Sequence, residues 1–129
     1  MKRFIKLITV LFTAIFLTCC AGEGGSTAYR QVSVAEAKQI MREQEGYIIL
    51  DVRRPDEYAE GHIPNAINIP NESIGGEEIA RLPDKSQLIL VYCRSGRRSK
   101  EAAGKLSKLG YTNIVEFGGI LDWDGEIEK

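Results

Sequence analysis

Cys93-Arg94-Ser95-Gly96-Arg97-Arg98-Ser99 sets three guanidinium groups beside one thiol, directly after the apolar run Gln87-Leu88-Ile89-Leu90-Val91-Tyr92. A strand that feeds such a loop into a helix curls successive backbone N–H groups into an anion-binding nest at the helix N-terminus. The positive helix end and Arg94, Arg97 and Arg98 favour a charged sulfur, and the thiolate rather than the thiol is the nucleophile. The chemistry these residues suit is attack by Cys93 on a sulfur, phosphorus or arsenic oxyanion. Set against this is an inert buried cysteine beside a basic turn, a reading that gives three clustered arginines no purpose in a core.

Other polar residues take supporting parts. Asp51, at the end of the run Tyr47-Ile48-Ile49-Leu50-Asp51-Val52, and Arg53 are expected to hold each other or the neighbouring loop. Ser99 is grouped with them as a supporting residue. His62 is the single histidine of the chain, and in Gly61-His62-Ile63-Pro64 it is expected to hydrogen-bond its own turn rather than serve as a base. Phe117 and Trp123 read as core.

The elements that must position Cys93 follow from periodicity. Ser33 with Glu36 forms a capping-box pattern, and Ala37, Ile40 and Met41 give the stripe of a helix over 34–44, ended by Gly46. Residues 47–52 and 87–92 are short apolar runs, the pattern of strands buried on both faces of a parallel sheet. Arg53 to Gly61 reads as a polar turn, Asn65 to Pro70 as a short strand, and Glu77 to Leu82 as a short helix stopped by Pro83. Ser99 to Leu109 reads as a helix with Ala102, Ala103, Leu106 and Leu109 inward, closed by Gly110. Ile114 to Phe117 is a strand, Gly118-Gly119 breaks into an amphipathic stretch around Trp123, and Tyr29 to Val32 is an edge strand. This alternation predicts an α/β domain with a mainly parallel sheet, whose ligands bind beyond the carboxyl ends of the strands.

Composition narrows the classes. The chain has 129 residues, 17 Lys+Arg against 18 Asp+Glu, and 43% apolar residues, which fits one compact domain and not a disordered or coiled-coil protein. This near-neutral balance argues against a nucleic-acid binder, which needs a basic surplus. Structural zinc sites want four Cys/His ligands at close spacings, and Cys19, Cys20, His62 and Cys93 lack such spacing, so neither metal nor cofactor is expected.

The N-terminus carries an address. Lys2, Arg3 and Lys6 precede the uncharged run Leu7 to Leu17. At about 1.5 Å per residue that run reaches only half of a roughly 30 Å hydrocarbon core, so residues 1–19 read as a signal peptide rather than a membrane span. Leu17-Thr18-Cys19-Cys20-Ala21-Gly22 resembles the bacterial lipobox, with Cys20 as the lipidated new N-terminus and Cys19 standing where Gly, Ala or Ser is usual. Ordinary signal cleavage nearby is the alternative. Either way the expected location is the cell envelope or periplasm, with a lipid anchor to a membrane under the first reading. Residues 20–28 read as a flexible tether and 29–129 as the domain. Loss of residues 1–19 leaves 14 bases against 18 acids, a net charge near −4.

Leu50-Asp51-Val52-Arg53, Glu57-Tyr58, the stretch from Gly61 to Pro70, the loop from Cys93 to Arg98, Gly118-Gly119 and Trp123 together resemble the rhodanese family of sulfurtransferases. The resemblance implies the rhodanese α/β fold, a five-stranded parallel sheet with helices on both faces. It also implies that Cys93 takes a sulfane sulfur from a donor, holds it as a persulfide and passes it to a nucleophile. Arg94, Ser95, Gly96, Arg97 and Arg98 match the loop that binds the substrate. Related phosphatases and arsenate reductases carry Cys-x5-Arg, and here that arginine position is Ser99, so the loop is the shorter sulfurtransferase form. The implied activity moves sulfur from an anionic donor such as thiosulfate to cyanide, a thiol or a protein acceptor. A sulfur carrier without turnover is the second reading. A dithiol redox cycle finds no resolving cysteine once Cys20 is lipidated and Cys19 is removed with the signal peptide, and a monomer is the default.

Overall fold

The computed structural model describes residues 28–129; the expected signal peptide, Cys20 and nearly all of the expected tether lie outside the described residues. Five strands form one sheet in the order β1-β5-β4-β2-β3, and every neighbouring pair is parallel. In chain order they are β1 (Arg30–Gln31), β2 (Ile48–Asp51), β3 (Ile67–Asn68), β4 (Ile89–Cys93) and β5 (Ile114–Gly119). The helices are α1 (Val34–Glu43), α2 (Pro55–Glu60) and α3 (Arg97–Lys108), with short 3-10 turns at Asn71–Ser73 and Ile120–Asp122.

β4 is the central strand, and all five of its residues are buried. Its alternation splits the core: Ile89, Val91 and Cys93 pack with Ala102, Ala103 and Leu106 of α3, while Leu90 and Tyr92 pack with Ala37 and Ile40 of α1. Helices therefore cover both faces, as the two apolar runs predict, because a strand buried on both sides has no polar alternation. α1 begins where the cap pattern places it, with Ser33 Oγ accepting from Glu36 N at 3.1 Å.

Three local expectations are corrected. The polar turn after β2 contains α2, a helix with Pro55 at its first position and no buried residue, so it has no apolar stripe to betray it. Glu77 to Leu82 is not a helix; Leu82 N donates to Ile79 O in a turn that delivers Leu82 into the core at 1% exposure. α3 starts at Arg97, two residues earlier than its apolar stripe suggests, because Gly96 caps it in the left-handed region at φ 114°.

One irregularity bears on the site. Val91 pairs with Glu116 but Cys93 pairs with Gly119, so β5 carries one extra residue opposite the end of β4. Such a bulge bends a strand and redirects its side chains. Gly118 sits within it at φ 88°.

Candidate active site

Cys93 ends β4 with only 1% of its surface exposed, and its sulfur accepts a hydrogen bond from Gly96 N at 3.0 Å. That contact needs the loop to fold back within three residues, which the left-handed Gly96 allows. Ser99 Oγ lies 3.4 Å from Sγ on the other side. The first-turn N–H groups of α3 have no intrahelical acceptor and remain available to an anion in the loop.

Gly119 holds this loop from below. A Cβ there would stand 2.0 Å from Arg94 O and 2.5 Å from Ser95 N, far inside contact distance. Leu121 N also donates to Arg94 O at 3.2 Å, so β5 and the following turn form the bed on which the loop rests. Gly119→Ala is expected to displace the loop and lower stability by roughly 3 kcal/mol, since the blocking atoms are backbone and have nowhere to move. Urea denaturation measures it; an unchanged midpoint with full activity contradicts the close approach.

Above the loop opens a cleft of about 660 Å³ lined by arginines 53, 54, 94, 97 and 98, glutamates 57, 60 and 72, and Ser95, Ile120 and Leu121. The arginines are not equivalent, which the sequence does not reveal. Arg98 is clamped by both oxygens of Glu57, at 2.6 and 3.0 Å, and this pairing raises its affinity for the proton, with the nearby sulfur adding to the effect. Its guanidinium in turn holds the Glu57 carboxyl below the usual range. Arg97 pairs with Glu101 one turn on, at 2.9 Å. Arg94 is exposed and, among the described residues, has no ionic partner. Two of the three loop arginines are thus held in ion pairs.

Asp51 and Arg53 do hold each other. Arg53 Nη2 donates to Asp51 Oδ2 at 2.7 Å and Nε lies 3.0 Å from both oxygens, in a pair that is 0% and 6% exposed. Arg53 also donates to Gly61 O at 2.7 Å, and Tyr92 OH donates to Asp51 Oδ2 at 2.7 Å while accepting from Ile63 N. Burial and the Asp51 charge push the Tyr92 phenol well up. Tyr92 points to the α1 face, opposite Cys93, so this network braces the β2 and α2 loops rather than the sulfur. His62 bonds its own turn, Nδ1 to Tyr58 O at 2.9 Å, and stacks on the Tyr58 ring. Phe117 is core at 2% exposure, whereas Trp123 is half-buried at the edge of the same cluster.

Sequence reasoning gave Glu57 no role beyond the family resemblance and missed Glu116. Glu57 sits on the helix that was not foreseen. Glu116 is a carboxylate in an otherwise apolar buried strand, 2% exposed and 2.6 Å from Ser99 Oγ. That break in the hydrophobic pattern was the available signal.

The rhodanese-like domain family matches residues 33–126, which takes in β2 through β5 and the whole Cys93 loop. The chain belongs to this family. It is 40% identical over 73 residues to thiosulfate sulfurtransferase PspE of Escherichia coli, covering 57% of this chain and 70% of that one. It is 34% identical over 99 residues to the putative sulfur carrier protein YrkF of Bacillus subtilis, covering 76% and 52%. A crystal structure of a rhodanese-like domain protein from Staphylococcus aureus superposes with TM-score 0.66 at 30% identity, over 77% of this chain and 96% of that one. The rhodanese fold expected from the motifs is the observed one, and at the family level the rhodanese-like relatives are sulfurtransferases and sulfur carriers.

Proposed function

We propose that this rhodanese-like protein is a thiosulfate-type sulfurtransferase whose nucleophile is Cys93. The observation that carries the reading is the six-residue loop from Cys93 to Arg98, folded so tightly that Gly96 N reaches the sulfur at 3.0 Å. A terminal sulfur added to Cys93 fits among the backbone N–H groups of such a loop, whereas a tetrahedral phosphoryl group needs the longer cradle. In the first half-reaction the Cys93 thiolate attacks the outer sulfur of thiosulfate; a new S–S bond forms and the old one leaves with sulfite. In the second, cyanide or a thiolate takes the outer sulfur and the Cys93 thiolate is restored. No cofactor is needed for either step.

Arg94 is the residue we assign to donor capture, since Arg97 and Arg98 are already paired. Arg94→Ala is expected to raise KM for thiosulfate about tenfold, the equivalent of one charge-assisted contact, with little change in kcat. Steady-state kinetics test it; a fall in kcat at constant KM reassigns Arg94 to the chemical step.

The activity itself is tested by a thiosulfate:cyanide assay on the full chain, with peptide mass spectrometry for one added sulfur atom at Cys93. Turnover with the adduct supports the enzyme. The adduct without turnover supports a carrier, the reading favoured by the name of the Bacillus relative. Neither, on folded reduced protein, defeats sulfur transfer. We further propose export through residues 1–19 and lipid anchoring at Cys20, from the charged start, the apolar run and the lipobox-like Leu17 to Gly22. Mass spectrometry of the N-terminal peptide from envelope fractions checks both.

A further inference from the structure

The cleft above Cys93 encloses about 660 Å³, a size that suits a small organic molecule, and thiosulfate fills a minor part of it. The rest is open to the molecule that takes the sulfur away. Its five arginines do not make it a cationic funnel. Arg53 is held by Asp51, Arg54 by Asp56, Arg97 by Glu101 and Arg98 by Glu57, at 2.6 to 2.9 Å. Among the described residues of the cleft, the charges left without an ionic partner are Arg94, Glu60 and Glu72. One cation and two anions remain. The sheet order separates them, because β2 and β3 lie on one side of β4 and β5 lies on the other. Glu60 ends α2, which follows β2, and Glu72 lies in the 3-10 turn that follows β3, so both carboxylates stand on the β2–β3 wall. The facing wall is Ile120 and Leu121 after β5, which is uncharged, with Leu121 61% exposed. Arg94 sits in the loop between the walls, directly after Cys93.

Resting on the sulfurtransferase reading above, we propose that Glu60 and Glu72 are specificity-determining residues of the second half-reaction, and that the acceptor they select is a small thiol carrying an ammonium group close to its sulfur. One cleft serves two partners in turn. The anionic donor needs a cation beside the loop, which Arg94 supplies, and it gains nothing from two carboxylates. An acceptor with an ammonium group is drawn to them as it approaches, whereas an anionic thiol is repelled. In the step itself the acceptor thiolate attacks the outer sulfur of the Cys93 persulfide. A new S–S bond forms as the bond to Cys93 breaks; the outer sulfur keeps its proton, and the electron pair of the broken bond stays on Cys93 as thiolate. No further oxidant or reductant enters.

Sulfite release from thiosulfate on the full chain tests this with three small acceptors that differ mainly in charge: cysteamine, 2-mercaptoethanol and 3-mercaptopropionate. In a two-step exchange, kcat/KM for the acceptor reports the second half-reaction alone. Each acceptor is compared between the wild-type chain and its variants, so differences in intrinsic thiol reactivity cancel. Glu60→Gln and Glu72→Gln are each expected to lower the cysteamine-to-mercaptoethanol ratio of kcat/KM about threefold, the worth of one exposed ion pair, and together about tenfold. The mercaptopropionate-to-mercaptoethanol ratio should rise. The same variants should raise kcat/KM for thiosulfate, a change of opposite sign that a damaged fold does not give. At about 1 M salt, where the screening length is roughly 3 Å, the wild-type ratio should fall to that of the double variant. Glu45→Gln removes an equal charge before the start of β2, at the other end of the sheet, and is expected to move neither ratio. Ratios unmoved in the double variant, or moved as far by Glu45→Gln, overturn the proposal, while thiocyanate formation in the same samples keeps the sulfurtransferase reading standing. Absence of sulfite release with every acceptor, cyanide included, defeats both.

Discussion

Cys93→Ser is expected to leave the fold intact and abolish sulfur transfer, with thiocyanate formation down at least about 1000-fold, roughly 4 kcal/mol in barrier height. Serine is close in size, and its oxygen can keep the contacts with Gly96 N and Ser99 Oγ that the sulfur makes at 3.0 and 3.4 Å. What it lacks is the chemistry: an alkoxide is scarcely populated near neutral pH, and oxygen forms no persulfide. The added sulfur on the residue-93 peptide should vanish together with turnover. Turnover that survives the substitution moves the nucleophile away from the loop and defeats the proposed mechanism, because Cys93 is the only cysteine among the described residues.

The largest effect on stability is expected from Asp51→Ala. The substitution removes the carboxylate that takes three short contacts from Arg53 side-chain nitrogens and one from Tyr92 OH, and it leaves a guanidinium 6% exposed without its anion. Breaking one side of a buried ion pair costs about 3–5 kcal/mol, more than the pair itself contributes, because the abandoned charge stays buried. For a domain of this size that lowers Tm by roughly 12 °C or more. Lys38→Ala is the contrast. It breaks the 2.6 Å contact to Asp124, whose side chain is 77% exposed, and solvent screening should leave Tm nearly unchanged. Equal losses from the two substitutions would show that burial does not set the cost.

The parts of the fold legible in the sequence were those whose hydrophobic pattern is strong. The runs ending at Asp51 and Tyr92 became the buried strands β2 and β4, and Ala102, Ala103 and Leu106 marked the inner side of α3. α2 was hidden because it buries nothing, and with it went Glu57, the partner that neutralises Arg98. The segment from Glu77 to Leu82 misled for the opposite reason: its apolar residues anchor a turn, and local composition does not distinguish that from a helix. Within the site, the loop from Cys93 to Arg98 was legible as spacing, but the inequality of its arginines was not. That inequality depends on Glu57 and Glu101, one of them 41 residues away in the chain. Glu116 shares the α3 face of β5 with Ile114 by plain alternation, with Val115 and Phe117 on the other face, so its side was legible and only its partner Ser99, 17 residues away in the chain, was not.

All five strands run in the same sense, and this polarity bears on how an anchored protein would face its surroundings. Arg30 enters β1 level with Val115, itself opposite Leu90, whereas Cys93 stands level with Gly119. The chain thus joins the sheet three residues below the sulfur, about 10 Å along the strand direction. If the proposed lipid at Cys20 holds the chain from that lower end, the arginine-lined mouth lies at the end of the sheet away from the point where the tether enters, and a taut tether leaves it open to donors in the bulk aqueous phase.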